Sequence, residues 1–133
     1  MSQNYKIVLI VFGLLYLPFV VSEENLSFQN ISIQSDQVTI SRQAEQLVFK
    51  NNVEIKIDEY VIKGSNAMLS NRDKKLEIYG NPASIKSEEI NGQAEVFEIY
   101  PNKSMNLIGN AKLLNKGNSI TSNFITYQFI ANE

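Results

Sequence analysis

The chain of 133 residues contains no cysteine, no histidine and no tryptophan. Without cysteine it can form no disulfide, no thiolate nucleophile and no Cys-ligated zinc site. Without histidine it lacks the side chain that most often acts as a general base near neutral pH, and it cannot hold haem or zinc through imidazole. We therefore expect no enzymatic activity, no metal and no cofactor.

A large excess of charge of one sign is also lacking. The formal net charge is -2 and the isoelectric point is about 5.2, so the basic excess of a nucleic-acid binder is missing. With 44% apolar and 20% charged residues, the composition is neither that of a disordered chain nor that of collagen. The sequence predicts an ordinary folded domain with no nucleic-acid partner.

Long hydrophobic runs are missing except at the N-terminus. Residues 7–21 are almost all apolar and follow Lys6, which is the pattern of a signal peptide. Fifteen helical residues span about 22 Å, which is short of the ~30 Å hydrocarbon core of a membrane. We expect cleavage after Ser22, which leaves residues 23–133 as one exported domain. An uncleaved anchor is the alternative.

The remainder of the chain shows the alternation of β-strands. Apolar residues occupy odd-numbered positions at Leu47, Phe49, Val53, Ile55 and Ile57, and apart from Val48 the residues between them are polar. Residues 94–100 form a weak helix candidate that also reads as a strand. Long strands are expected at residues 31–40 and 120–130, at the two ends of the domain. The fold class is therefore predicted to be all-β.

A repeat of about 29 residues organises these strands. Asn52, Asn81 and Asn110 lie 29 residues apart, each in a kink rich in Gly or Asn. A second series begins at Ile33, Ile62, Ile90 and Ile120, each followed two residues later by Gly or Ser. Each unit is interpreted as a strand, a kink, a second strand, a turn and a third strand. Repeated kinks bend a sheet, so stacked units predict V-shaped, folded antiparallel sheets of the jelly-roll type.

The predicted interior is aliphatic, and it can be either a packed core or a lined groove. Core packing is the more common role of such residues. The interior is predicted to hold Ile31, Ile33, Val38, Ile40, Leu47, Phe49, Val53, Ile55, Ile62, Leu69, Leu76, Ile78, Ile85, Ile90, Ile99, Leu107, Leu113, Ile120, Ile125 and Phe129.

Several segments together resemble the LptA (OstA-like) family. The resemblance covers residues 31–127, and its most specific piece is Tyr-Gly-Asn-Pro-Ala at residues 79–83, supported by Phe-Lys-Asn-Asn-Val at 49–53 and Gly-Asn-Ala at 109–111. It implies a β-jellyroll in the periplasm of a Gram-negative bacterium, which shields the acyl chains of lipid A during lipopolysaccharide export. It also implies end-to-end self-association and contacts with LptC-like inner-membrane and LptD-like outer-membrane components.

The resemblance implies lipid contacts at Ile31, Ile33, Phe49, Ile85 and Ile99. Ile85 stands where an aromatic residue is common in the family, so ring area is lost there. The chain ends at Glu133, where family members often continue, which puts the shape of that docking end in question.

Two other functions stay open at this stage. The first is a membrane-anchored, LptC-like component of the same export system, and the second is a structural β-solenoid without a ligand. The acidic pairs at residues 58–59 and 88–89 are interpreted as solvated turn charges and not as a glycosidase pair. The basic turn at residues 72–75 can either meet lipid phosphates or only aid solubility.

Overall fold

The protein is described by a computed structural model, which covers residues 31–129. These residues form eight antiparallel strands and no helix, which confirms the all-β prediction. The predicted leader, residues 1–22, lies outside the described residues. The strands are β1 (Ile31–Gln34), β2 (Gln37–Ser41), β3 (Gln46–Ile57), β4 (Tyr60–Ser70), β5 (Lys75–Lys86), β6 (Ile90–Tyr100), β7 (Ser104–Asn115) and β8 (Asn118–Gln128).

All strands belong to one sheet, in which β2 to β7 each pair with the next strand along the chain and β1 pairs with β3. The order is β1-β3-β4-β5-β6-β7-β8, and β2 pairs with β3 beside β1. Three hairpins, β3–β4, β5–β6 and β7–β8, begin at Gln46, Lys75 and Ser104, which are 29 residues apart. The repeat is therefore a hairpin of two long strands. The predicted third strand per unit is wrong, because each strand passes through its kink without ending.

The kinks line up across the sheet as a crease. Pairing shifts register between Lys50 and Val53 in β3, between Tyr79 and Ala83 in β5, and between Ile108 and Ala111 in β7. Each odd-numbered strand carries extra residues there, and a bulge of this kind bends a ladder. The spacing of Asn52, Asn81 and Asn110 thus predicted the crease correctly.

Side chains hold the crease on its outer surface. The Asn52 amide donates to the Asp36 carboxylate at 2.9 Å, and the Asn110 amide donates to Glu95 Oε2 at 2.8 Å. Asn51, Asn52 and Asn110 adopt positive φ, a conformation that asparagine tolerates better than most residues. Asn52 and Asn110 therefore stabilise the bend both by adopting positive φ and by donating side-chain hydrogen bonds.

The crease divides the sheet into two arms. Arm A contains β2 and residues 46–50, 66–70, 75–79, 96–100, 104–108 and 124–128. Arm B contains β1 and residues 53–57, 60–64, 83–86, 90–94, 111–115 and 118–122. The predicted facing sheets are thus two halves of one sheet.

Small residues let the arms fold closely over each other. In arm B the inner row beside the crease runs Val53, Gly64, Ala83, Ala94, Ala111 and Ser122. In arm A the corresponding row is bulky and includes Ile78, Phe97 and Leu107. A Cβ built on Gly64 would lie 2.6 Å from Ile78 Cγ2, so a side chain there would push the arms apart.

The N-terminal strand differs from the prediction. Residues 31–40 form two strands, β1 and β2, separated at Ser35 and Asp36. Both pair with β3, and the break lies opposite the crease at Asn51 and Asn52. The N-terminal segment therefore turns at the crease through a break between two strands, whereas β3, β5 and β7 turn there through a bulge. At the other end β8 spans Asn118–Gln128, and Ile130 of the predicted strand lies outside the described residues.

Most residues that were predicted to lie in the core are buried or partly buried, but two of them are exposed. Ile40 is 52% exposed and Ile120 is 41% exposed. Both pair with core residues, Leu47 and Leu113, and so share the inner face. They are exposed because β2 and β8 are edge strands with no further strand to cover them. Residues 31–129 contain no helix long and apolar enough to cross a membrane.

Candidate functional site

The candidate site is the apolar space between the two arms. Its inner rows follow from strand alternation, because cross-strand partners point to the same face of a sheet. The second row of arm B runs Ile33, Ile55, Ile62, Ile85, Gly92, Leu113 and Ile120, and the second row of arm A runs Ile40, Leu47, Leu69, Leu76, Ile99, Met105 and Tyr127. These rows extend across the whole sheet and end in exposed aliphatic side chains at both edges.

The five predicted lipid contacts all belong to this interior. Phe49, Ile85 and Ile99 are buried core residues, and Ile85 is 0% exposed. Ile33 is buried in β1 and Ile31 is partly buried against the core. Both arms supply predicted lipid contacts, because Ile99 lies in arm A and Ile31, Ile33 and Ile85 lie in arm B. Their burial shows that the side chains of the protein themselves fill the space.

The outer edges of the arms form a mouth that aromatic side chains bridge. Tyr60 opens β4 at the far end of arm B, and Phe129 directly follows β8 at the far end of arm A. Their ring centroids are 5.4 Å apart, and the ring of Tyr127 is 6.1 Å from that of Phe129. Four strands at ~4.8 Å spacing would separate β4 from β8 by about 19 Å in a flat sheet. The contact therefore spans the gap between the arms, and we call these three residues the aromatic bridge.

Hydrogen bonds strengthen the bridge. Burial and then a side-chain hydrogen bond with Tyr127 raise the pKa of the Tyr60 hydroxyl, with smaller contributions from the negative charges of Glu59 and Glu89. The Phe129 amide donates to the Lys103 carbonyl at 3.1 Å, which ties the residue to the β6–β7 turn. The aromatic contacts thus close the mouth, and a backbone hydrogen bond within arm A holds Phe129 in place.

Within residues 31–129, no three acidic side chains lie close enough together to hold a metal ion. The charged pairs of the hairpin turns are exposed. What the geometry offers is a continuous apolar interior between two arms.

A sequence profile described as "LptA/(LptD N-terminal domain) LPS transport protein" matches residues 32–133. The chain belongs to this family. No curated protein sequence matches it significantly. Among solved structures, the chain is similar to LptH, described as the LptA homologous periplasmic component of the conserved lipopolysaccharide transport device from Pseudomonas aeruginosa.

The likeness between this LptA-family chain and LptH is one of fold. The TM-score is 0.68 over 74% of this chain and 76% of LptH, at 18% sequence identity. The family assignment and the β-jellyroll expected from the sequence are confirmed by these two comparisons. The function of the family is lipopolysaccharide transport.

The sequence pattern missed several residues of this interior. Phe97 was overlooked because the register shift at the crease moves the inward-facing positions of β6 from even numbers up to Ala94 to odd numbers from Phe97. Tyr60 and Tyr127 were missed because aromatic residues at strand ends carry no periodic signal. The alanines of the crease row were missed because small residues count little in a hydrophobic pattern. The 28-residue spacing of Ala83 and Ala111, close to the repeat period, could have indicated them.

Proposed function

We propose that this protein is a periplasmic lipopolysaccharide carrier, which holds the acyl chains of lipid A between its two arms. The observation that carries the proposal is the continuous aliphatic lining, which reaches both edges of the sheet. Burial of each CH₂ group is worth about 0.8 kcal/mol, so an acyl chain of ~10 such groups gains about 8 kcal/mol in an apolar space. That gain can offset the cost of separating the packed inner faces of the two arms.

Opening would occur at the mouth, because the two sides of the interior differ. At the crease, Gly64 and the neighbouring alanines leave the arms in close contact, and a ligand would find no room there. At the mouth, the aromatic bridge joins the arms, and its three residues, like the neighbouring Ile57, are only partly buried. The crease is therefore the hinge and the mouth is the entrance.

The bridge between the two membranes would be built from several copies joined end to end. The sheet has two edges, β1 with β2 and β8, whose outer backbone groups have no strand partner among the described residues. Ile40 and Ile120 extend the inner rows to these edges. Addition of β8 of one copy to the N-terminal edge of the next would continue both the sheet and its lining. LptC-like and LptD-like components would join the ends of such an assembly.

The test is photo-crosslinking from the interior. Photoreactive residues at Ile33 and Ile85 should label lipopolysaccharide, whereas their neighbours Ser32 and Ser84, which point to the outer face, should not. Equal labelling from inner and outer positions would contradict the carrier function and favour a structural β-solenoid without a ligand.

The intact mass of the exported protein distinguishes the carrier from an anchored, LptC-like component. The carrier proposal expects the mass of residues 23–133 after cleavage behind Ser22. Retention of residues 1–22 would contradict cleavage and favour the anchored component.

A further inference from the structure

The turns at the far end of arm A carry an excess of positive charge. This lip of the mouth is formed by the β2–β3, β4–β5 and β6–β7 turns, which hold four exposed basic and two acidic residues. The basic residues are Arg42, Arg72, Lys74 and Lys103 and the acidic ones are Glu45 and Asp73. We call the four basic residues the basic lip.

The opposite lip, at the far end of arm B, has the reverse charge. Its turns hold Asp58, Glu59, Glu88 and Glu89 and a single basic residue, Lys116. Lys116 is already partnered by Glu89, with Nζ 3.8 Å from Oε2. The mouth therefore has one basic and one acidic side, although the whole chain carries a net charge of only -2.

The charges of the basic lip are not neutralised by ion pairs among residues 31–129. Lys75, one residue beyond the turn, lies 3.1 Å from Glu77 and 3.9 Å from Glu98. None of the four basic-lip residues has such a partner within the described residues. Lys75 is therefore paired with acidic side chains, whereas the charge of its neighbour Lys74 stays available to a negatively charged ligand.

Backbone contacts make the first two turns one unit. Arg72 Nη2 donates to the Gln43 carbonyl at 3.4 Å, and the Asn71 amide donates to the Glu45 carbonyl at 2.9 Å. Consecutive turns on one edge of an antiparallel sheet are two strand spacings apart, or about 10 Å. The basic lip is thus a row of positive charges along one edge of the mouth.

This row adjoins the entrance to the apolar interior. The Lys103 carbonyl accepts the hydrogen bond from the Phe129 amide, so the third basic turn is directly linked to the aromatic bridge. An amphipathic ligand whose chains lie between the arms would place its headgroup at the lips.

We propose that the basic lip binds the phosphates of the cargo headgroup, while the acidic lip repels them, so that the glycolipid is held in one orientation. This inference rests on the proposed carrier function. Arg and Lys bind phosphate through charge-assisted hydrogen bonds, and exposed charges act within a Debye length of about 10 Å at 0.1 M salt. The lip should therefore add phosphate selectivity to an interior that recognises only acyl chains.

The test compares charge reversal at the lip with charge reversal elsewhere. Arg72→Glu with Lys103→Glu should weaken binding of monodisperse, bisphosphorylated lipid A about tenfold at low salt, and the difference should shrink in 0.5 M salt. The matched control, Lys63→Glu with Lys112→Glu, makes the same charge change on the outer face of arm B and should leave binding unaltered. Thermal unfolding followed by circular dichroism establishes that both variants fold.

Dephosphorylated lipid A with the same acyl chains separates the possible outcomes. The wild type should bind it more weakly than the phosphorylated form, and the lip variant should bind both forms equally. If the wild type binds both forms equally and the lip variant matches it, the phosphate site is overturned while the carrier function stands. If the wild type binds neither form, the carrier function fails and the lip proposal fails with it.

A bilayer surface is the other source of lipid phosphate. If the lip variant loses co-flotation with phosphatidylglycerol vesicles but binds monodisperse lipid A like the wild type, the lip is a membrane-docking surface. That result would overturn the headgroup proposal. Inorganic phosphate at millimolar concentration should compete weakly with lipid A in the wild type and not at all in the lip variant; equal competition in both would also count against it.

Discussion

At the scale of single residues, the crease depends on Gly109 more than on any other glycine with positive φ. Gly109 has φ +89°, and a Cβ there would lie 2.5 Å from Glu95 Oε1. Gly117 has nearly the same φ, +88°, but has nothing within 4 Å of a built Cβ. The two positions therefore separate backbone strain from the contact with Glu95.

We expect Gly109→Ala to lower the free energy of unfolding by more than Gly117→Ala does. Both substitutions carry the backbone cost of positive φ, about 1–2 kcal/mol. Only Gly109→Ala also displaces Glu95 from Asn110, which should add at least ~1 kcal/mol. Denaturant unfolding of both variants measures the difference, and equal losses would show that the Glu95 contact has no importance for the crease.

Tyr79, at the outer side of the crease, gives a dependence of stability on pH. Its hydroxyl donates to Glu77 Oε1 at 2.7 Å, and burial together with this hydrogen bond raises its pKa to about 12. The unfolded side chain ionises near pH 10, so its contribution to stability is complete below pH 10 and is lost as the pH rises toward 12. Tyr79→Phe should therefore show a smaller loss of stability between pH 10 and 12 in unfolding experiments. The same loss in the variant and the wild type would rule out Tyr79 as its source.

At the scale of elements, the proposed end-to-end assembly depends on the edge strands. β8 and β2 each present an exposed isoleucine that continues an inner row, and neither strand is capped by proline or by a row of charges. Edges of this kind favour strand addition. Because the side chains of Ile40 and Ile120 point to the inner face, substitutions there should affect the junction between two copies.

We expect Ile120→Lys and Ile40→Lys each to weaken self-association about tenfold or more, because either lysine would be buried without a partner at the junction. Leu114→Lys is the matched control, since Leu114 is 45% exposed but lies on the outer face of β7. Sedimentation at several protein concentrations measures the effect. If the edge variants associate like the Leu114 variant, the strand edges do not form the junction.

At the scale of the whole molecule, the proposed opening makes the two arms a clamp, with its hinge at the crease and the aromatic bridge at the mouth. The aromatic bridge joins positions that are distant in both sequence and sheet order. Because the chain contains no cysteine, two introduced cysteines would be its only thiols. The mouth can therefore be locked chemically without side reactions.

A Tyr60→Cys, Phe129→Cys variant joined by a short bis-maleimide should take up lipid A at least tenfold more slowly than the same variant before linkage, because the arms can no longer separate. A pair within one arm, Glu54→Cys with Lys63→Cys, joins register partners and should leave uptake unchanged when linked. Stopped-flow fluorescence with a labelled lipid A measures both rates. Undiminished uptake by the locked protein would show that the cargo does not enter at the mouth.

Much of this architecture could be predicted from the sequence because it has local causes. Alternation along a strand, as at Leu47, Phe49 and Val53, reports which face is buried, and Gly or Asn every 29 residues reports where the backbone leaves the regular ladder. Both signals are contained within a few neighbouring residues. For this reason the fold class, the period and the crease were predicted correctly, and the family resemblance carried by the same motifs was confirmed.

Other properties were decided only by the tertiary structure, because they depend on which distant residues meet. Ile40 and Ile120 have the alternation of core residues, yet their exposure follows from their place on edge strands. Tyr60 meets Phe129 only because the twisted sheet folds over itself, and the opposite charges of the two lips arise only when alternate turns are brought to opposite sides of one mouth. The sequence by itself thus determined an uncharged, cysteine-free lining and the positions where it bends. The folding of one arm onto the other decided where the outer edges of the lining meet and which charges lie beside them.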